Sequence, residues 1–194
     1  MTTQDSRNPL TVAVIVGSVR QPRIGRLVAD WFTDRATRRT DVRVDLVDLA
    51  EVALPLADTP PGGNPDSPIA DRLAAADGFV VVTPEYNHSF PAALKNAIDW
   101  HHREWAAKPV AFVSYGAGSG GIRAVEQLRL VFAELHAATI RTGVVLTAPW
   151  ERLDQQGRLV DDGPLGKAAD ATLDELAWWG EALRTARRNR PYGS

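Results

Sequence analysis

The sequence contains no cysteine. Disulfides, thiol nucleophiles and cysteine-ligated metals are therefore excluded, which suits a reducing cytoplasm. Charge of one sign is also lacking. The formal net charge of −2 offers no broad basic or acidic surface for nucleic acid or membrane. Long hydrophobic runs are missing too, since none approaches the ~20 residues of a membrane span. The N-terminal MTTQDSRNP is polar, without a hydrophobic signal region. No grouping of histidines and carboxylates has metal-ligand spacing. Ser18, Ser89 and Ser114 lack the G-x-S-x-G elbow of a hydrolase. These absences predict a soluble, cytoplasmic chain without a resident metal.

Apolar segments of two periods fill the sequence. LTVAVIVG (10–17) and GFVVVT (78–83) are continuous β-branched runs, the pattern of strands buried on both faces. VRVDLVDL (42–49) alternates, as a strand nearer an edge does. PVAFVSY (109–115) and TIRTGVVLT (139–147) complete five strands. Helical spacing begins at Ile24 and recurs over 91–104, 122–137 and about 166–190. Strands joined by crossovers predict a parallel sheet covered on both faces. At 194 residues this is one flavodoxin-like α/β domain, a three-layer sandwich of strand order 2-1-3-4-5 with its core at about 10–185. Loops 54–68 and 148–165 exceed plain connections, so a functional or interface role is open for the first.

In such a sheet a ligand lies beyond the carboxyl ends of the strands at the switch in strand order. Three unusual loops fall there: GSVRQPRIG (17–25), TPEYNHS (83–89) and SYGAGSGG (114–121). In the first, Ser18, Arg20 and Arg23 precede a helix start at Ile24 and Gly25. That reads either as an anion site or as a plain turn capped by Ser18. The lysine of a Walker loop is missing. In the second, Pro84 fixes the backbone, Glu85 suits a ligand wall or an interface ion pair, Tyr86 suits an aromatic face, and Asn87 suits a ligand or a helix cap. His88 reads as a surface or interface residue. In the third, Gly116, Gly118 and Gly121 satisfy G-x-G-x-x-G, yet no acidic residue ends the next strand to hold a ribose. The segment reads better as bare backbone beside a flat ligand, with Gly120 included.

Together the three loops resemble the NADPH-dependent FMN reductase family, which includes quinone, azo and chromate reductases. GSVRQPRIGRLVADW (17–31), TPEYNHSFPAALKNAIDW (83–100) and residues 114–121 carry the likeness. The resemblance implies that Ser18 and Arg20, with the amides near Ile24 and Gly25, bind the FMN phosphate. It implies that Pro84, Glu85, Tyr86 and Asn87 line the ribityl chain and ring, and that Ser114 and Gly116 through Gly121 border the other side. Many members carry Ser and Asn where this chain has Arg23 and Gly25, and Arg23 is expected to compensate by its charge. The implied reaction is ping-pong: NADPH or NADH reduces FMN, and a small electron acceptor then takes the electrons. No side chain is required as catalyst. A homodimer or homotetramer is also implied, with tryptophans such as Trp178 and Trp179, or Trp100 and Trp105, offering contact surface. Trp31 and Trp100 read better as core. The arginines of 184–190 read as a solvated helix end, with a nicotinamide 2′-phosphate contact as the alternative. A flavodoxin-like electron carrier is the rival reading, against which the low net charge argues. A binding domain that has lost its flavin is another.

Overall fold

The structure, a computed structural model, describes residues 8–57, 60–160 and 163–193. The reading of the N-terminus as polar and leaderless falls mostly on residues outside that range. Parallel strands β1 (Leu10–Val16), β2 (Val42–Asp48), β3 (Gly78–Pro84), β4 (Pro109–Gly116) and β5 (Ala138–Thr147) form one sheet of order β2-β1-β3-β4-β5. The expected fold class is therefore the one observed. Strand alternation sorts the core into two layers. Val12, Val14, Val16, Val80 and Val82 face α1 (Ile24–Ala36) and α5 (Pro164–Asn189). Ala13, Ile15, Phe79 and Val81 face α2 (Ala70–Ala75), α3 (Ala92–Asp99) and α4 (Ile122–Glu134). No helix among the described residues is long and apolar enough to cross a membrane.

Three details differ from the sequence reading. The six-residue α2 was not expected, because ADRLAA is too short to show a period. The helix expected over 91–104 ends at Asp99, with Trp100 as its cap. Side chains take the carbonyls that further helix would need: Trp105 Nε1 donates to the Ile98 and His101 oxygens at 3.3 and 3.0 Å. Trp105 is thus core, packed edge-on to Phe79 and Phe132, rather than contact surface. Trp100 is core as expected.

The third difference is the arginine-rich end of α5. Arg184 is only 6% exposed, donates to the Asn8 oxygen at 3.0 Å and pairs with Glu181 and Asp77. Arg187 donates to the Ala107 oxygen at 2.6 Å. Asp77 in turn accepts from the Thr11 amide. These arginines lock the amino ends of β1 and β3, the edge of the sheet opposite the three loops. That position removes the 2′-phosphate alternative for Arg184 and Arg187.

The described residues of loop 54–68 are pinned across α3. Asn96 Nδ2 donates to the Leu54 oxygen at 2.7 Å, and the Asn64 amide donates to the Trp100 oxygen at 2.8 Å. His101 is 1% exposed and bridges the Ala97 carbonyl at 2.6 Å and Ser67 Oγ at 2.7 Å. A carbonyl only accepts, so Nδ1 carries the proton and Nε2 accepts from Ser67. Burial lowers the His101 pKa from its ordinary 6.5, so the folded ring stays neutral where the unfolded one charges. The unfolded chain then binds more protons, and this contribution to stability is lost as pH falls from about 6.5 through the lower folded value. The melting temperature should therefore drop between pH 7 and pH 5, and His101→Phe should flatten that slope. An unchanged slope would remove His101 from the pin.

Candidate functional site

The three loops meet on one rim at the carboxyl ends of β1, β3 and β4. Sheet register requires it, since Val16 lies beside Val82, and Thr83 and Pro84 lie beside Ser114 and Tyr115. The Gly17 amide donates to the Val82 oxygen at 2.9 Å, and the Glu85 amide to the Tyr115 oxygen at 3.0 Å.

The run Glu85–His88 divides into separate tasks. Tyr86 and Ser89 exchange both backbone hydrogen bonds, at 2.8 and 3.0 Å, around Asn87 and His88 with φ of 51° and 72°. Two successive left-handed residues make a type I′ turn, and Asn and His tolerate that region better than most residues. Asn87 is therefore a turn residue and not the cap of α3, whose cap is Pro91. His88 is exposed, and its carbonyl accepts from Gln127 Nε2 at 2.7 Å.

Glu85 points toward the glycine loop. Its carboxylate accepts from Ser119 Oγ at 2.7 Å, from the Arg123 guanidinium at 2.7 Å and from the Arg123 amide at 3.3 Å. Burial alone would raise its pKa. Ser119 and the Arg123 amide and guanidinium outweigh that and hold the carboxyl below its ordinary range. Glu85 thus ties the second loop to the third.

Ser18 and Arg20 join the first loop to the second. Ser18 Oγ lies 2.7 Å from the Tyr86 hydroxyl, and the Arg20 guanidinium sits 3.8 Å over the Tyr86 ring. Such a cation–π contact contributes about 0.5–1 kcal/mol at an exposed site. Arg20 is exposed, whereas Ser18 is buried. Helix α1 starts here with no side chain capping its N–H groups, and Ile24 and Gly25 are its first two residues. The Ile24 amide donates to the Pro22 oxygen at 2.9 Å and the Arg26 amide to the Arg23 oxygen at 3.1 Å, so Gly25 is the first-turn residue whose amide is left to favour an anion.

Arg23 is placed differently from expectation. It bonds both carboxylate oxygens of Asp48, at 2.6 and 2.8 Å. Asp48 is 4% exposed and also takes the Ala50 amide and, at 3.4 Å, Arg26. The charge of Arg23 is therefore largely balanced, although its buried Nε has no hydrogen-bond partner. Ser114 also turns inward. It is 1% exposed, with its hydroxyl 3.5 Å from the Val144 oxygen.

The glycine segment presents bare backbone. Gly120 and Gly121 have φ of 60° and 89°, and Gly121 caps α4. A Cβ on Gly118 would meet nothing within 4 Å, so that position faces open space. A Cβ on Gly116 would press on the Gly121 amide at 3.2 Å.

Residues 10–151 match the family described as NADPH-dependent FMN reductase. The chain belongs to the NADPH-dependent FMN reductase family. It is accordingly an FMN-dependent NAD(P)H oxidoreductase. An NAD(P)H-dependent FMN reductase of Schizosaccharomyces pombe is 37% identical over 155 residues, 74% of this chain and 76% of the relative. A quinone reductase of Escherichia coli K12 is 32% identical over 192 residues, 92% of this chain and 97% of the relative. Among solved structures, FerB, a flavoenzyme NAD(P)H:(acceptor) oxidoreductase from Paracoccus denitrificans, aligns with a TM-score of 0.67. It is 24% identical and covers 90% of this chain and 98% of FerB, a likeness of fold.

Sequence reasoning placed Tyr115 and Ser119 in the third loop without a side-chain task, and missed Asp48, Arg123 and Gln127. Asp48 had a signal, because a carboxylate ending the strand beside the switch point lies near the first loop. Tyr115 read as the junction of the fourth strand and the third loop. Arg123 and Gln127 sit in α4, where only the folded loops reveal their partners.

Proposed function

We propose that the rim built by residues 17–25, 83–89 and 114–121 holds FMN, and that the chain, read as one FMN-binding domain, passes reducing equivalents from NADPH or NADH to a small acceptor. A quinone is the acceptor that the Escherichia coli relative favours. When bound, FMN supplies the hydride acceptance and the onward electron transfer. The convergence of an uncapped helix start with Ser18 and Arg20, a Tyr86 wall and a side-chain-free glycine edge carries this reading.

The donor set fits the cofactor. Arg20 offers a planar fork, and the start of α1 offers the Gly25 amide and the positive end of the helix, both suited to a phosphate. Pro84, Tyr86 and Asn87 shape the wall, with Asn87 exposed at its tip. Glu85 holds that wall against Gly116, Gly118, Gly120 and Gly121 without facing the ligand, and Ser114 supports Gly121 from below. Arg23 acts through Asp48 as an anchor of the loop. No side chain on the rim serves as acid or base.

The exposed neighbours Trp178 and Trp179, whose ring centroids lie 5.1 Å apart, support a homodimer or homotetramer. A chain without cysteine suits the cytoplasm. Steady-state oxidation of NADPH and NADH by the FMN-loaded protein, with and without a benzoquinone, tests the reaction. Quinone-dependent turnover is expected. A flavin-loaded protein without turnover with either nucleotide would indicate a carrier instead.

A further inference from the structure

The turn over Asn87 and His88 puts two residues with a Cβ into the left-handed region, at φ of 51° and 72°. Such backbone is costly and persists where the surroundings hold it. The paired backbone bonds of Tyr86 and Ser89 supply one hold. Another comes from α4. Gln127 lays its carboxamide across the closing arm of the turn. Its Nε2 donates to the His88 oxygen at 2.7 Å, and its Oε1 accepts from the Ser89 hydroxyl. One turn earlier on the same helix face, Arg123 holds Glu85 on the opening arm at 2.7 Å. Tyr86 stands between the two arms, with its hydroxyl 2.7 Å from Ser18 Oγ.

A carboxamide suits this place because it carries a donor and an acceptor side by side. A carboxylate would keep the Ser89 contact but turn a second acceptor toward the His88 carbonyl. The helix that offers the carboxamide is itself anchored, since Leu128 and Phe132 are buried against the sheet. Groups fixed on such an element hold a site more closely than groups on a loop.

We infer that Gln127 is a positioning residue for the flavin: by latching the closing arm of the 86–89 turn to α4, it holds Tyr86 and Asn87 in their wall conformation before the cofactor arrives. The inference rests on the reading of this rim as the FMN site. A preformed wall spares binding the cost of ordering the turn. Loss of the latch is therefore felt in flavin affinity more than in global stability, because Gln127 is half-buried and α4 keeps its own core contacts.

Two measurements on wild-type protein, Gln127→Leu and the near-isosteric Gln127→Glu test it. In the flavin-free protein, hydrogen exchange of the Tyr86 and Ser89 amides reads the latch itself. Exchange should be about tenfold faster in both variants, the scale of one hydrogen bond, while amides of β1 and β3 exchange as in the wild type. FMN titration reads the consequence. Both variants should bind FMN about tenfold more weakly, with an altered visible circular dichroism of the bound flavin. Adding Ser89→Ala to Gln127→Leu should weaken binding no further, because the serine has already lost its partner. Wild-type affinity and an unchanged flavin spectrum in the Gln127 variants would overturn the inference, even where the melting temperature falls, since a purely structural contact gives that result. Unchanged exchange at Tyr86 and Ser89 would overturn it as well. Wild-type protein that takes up no FMN would sink the site reading, and the positioning role with it, while the exchange rates still report the latch, so the two failures are distinguishable.

Discussion

Gly121→Ala is expected to lower stability by about 3 kcal/mol and to abolish flavin retention. The φ of 89° is a left-handed geometry that costs an L-residue about 1–2 kcal/mol. A Cβ there would also lie 2.8 Å from the Ser114 Cβ and from the Tyr115 nitrogen, and 2.9 Å from the Tyr115 oxygen. Two of those atoms are β4 backbone, which cannot move without disturbing the sheet. Overpacking of this kind adds about 1–3 kcal/mol. For a chain of this size the sum is a melting shift of roughly 10 °C. Gly118→Ala is the contrast, since its Cβ would enter open space. It should melt like the wild type. Equal melting of the two variants would mean that the glycine segment is not held as described.

Arg20 and Arg23 should separate cleanly, although the sequence presents them as two arginines of one loop. Arg23→Ala leaves the Asp48 side chain, 2% exposed, with only the 3.4 Å contact to Arg26 as a charged partner. Breaking a buried pair from one side costs about 3–5 kcal/mol, and Arg26 should bring this toward the lower end. Arg20 makes no ion pair among the described residues and rests on the Tyr86 ring. Arg20→Ala should change stability by less than about 1 kcal/mol. It should weaken FMN binding by roughly 10- to 100-fold, the loss of a hydrogen bond to a charged group. Thermal melts and FMN titrations of both variants check this. A stability loss with full flavin affinity in Arg20→Ala, together with lost flavin affinity at full stability in Arg23→Ala, would reverse the two assignments.

Much of the fold was legible because burial on both faces leaves its mark on strands. The continuous runs at 10–17 and 78–83 are central strands, and the alternating 42–49 is the edge strand β2. The rim was legible for the same reason: once strand order is known, the ends of β1, β3 and β4 must meet. What stayed hidden depends on long-range partners. Arg184 and Arg187 look solvated in sequence, yet the folded chain brings Asp77 and free carbonyls to them from 107 and 80 residues away. Trp105 looks like surface after a helix, and becomes core because its indole replaces a helical turn. The row Glu85–His88 reads in sequence as a wall beside a ligand, with His88 at the surface. It resolves into a tie, a wall and a two-residue turn only when the positive φ angles are seen.

The most direct test of the account is the stoichiometry of flavin on the purified protein after mixing with excess FMN and desalting. The visible spectrum should show about one FMN per chain, bleached by NADPH or NADH in the absence of oxygen. A colourless protein that takes up no FMN would contradict the assignment of the three-loop rim.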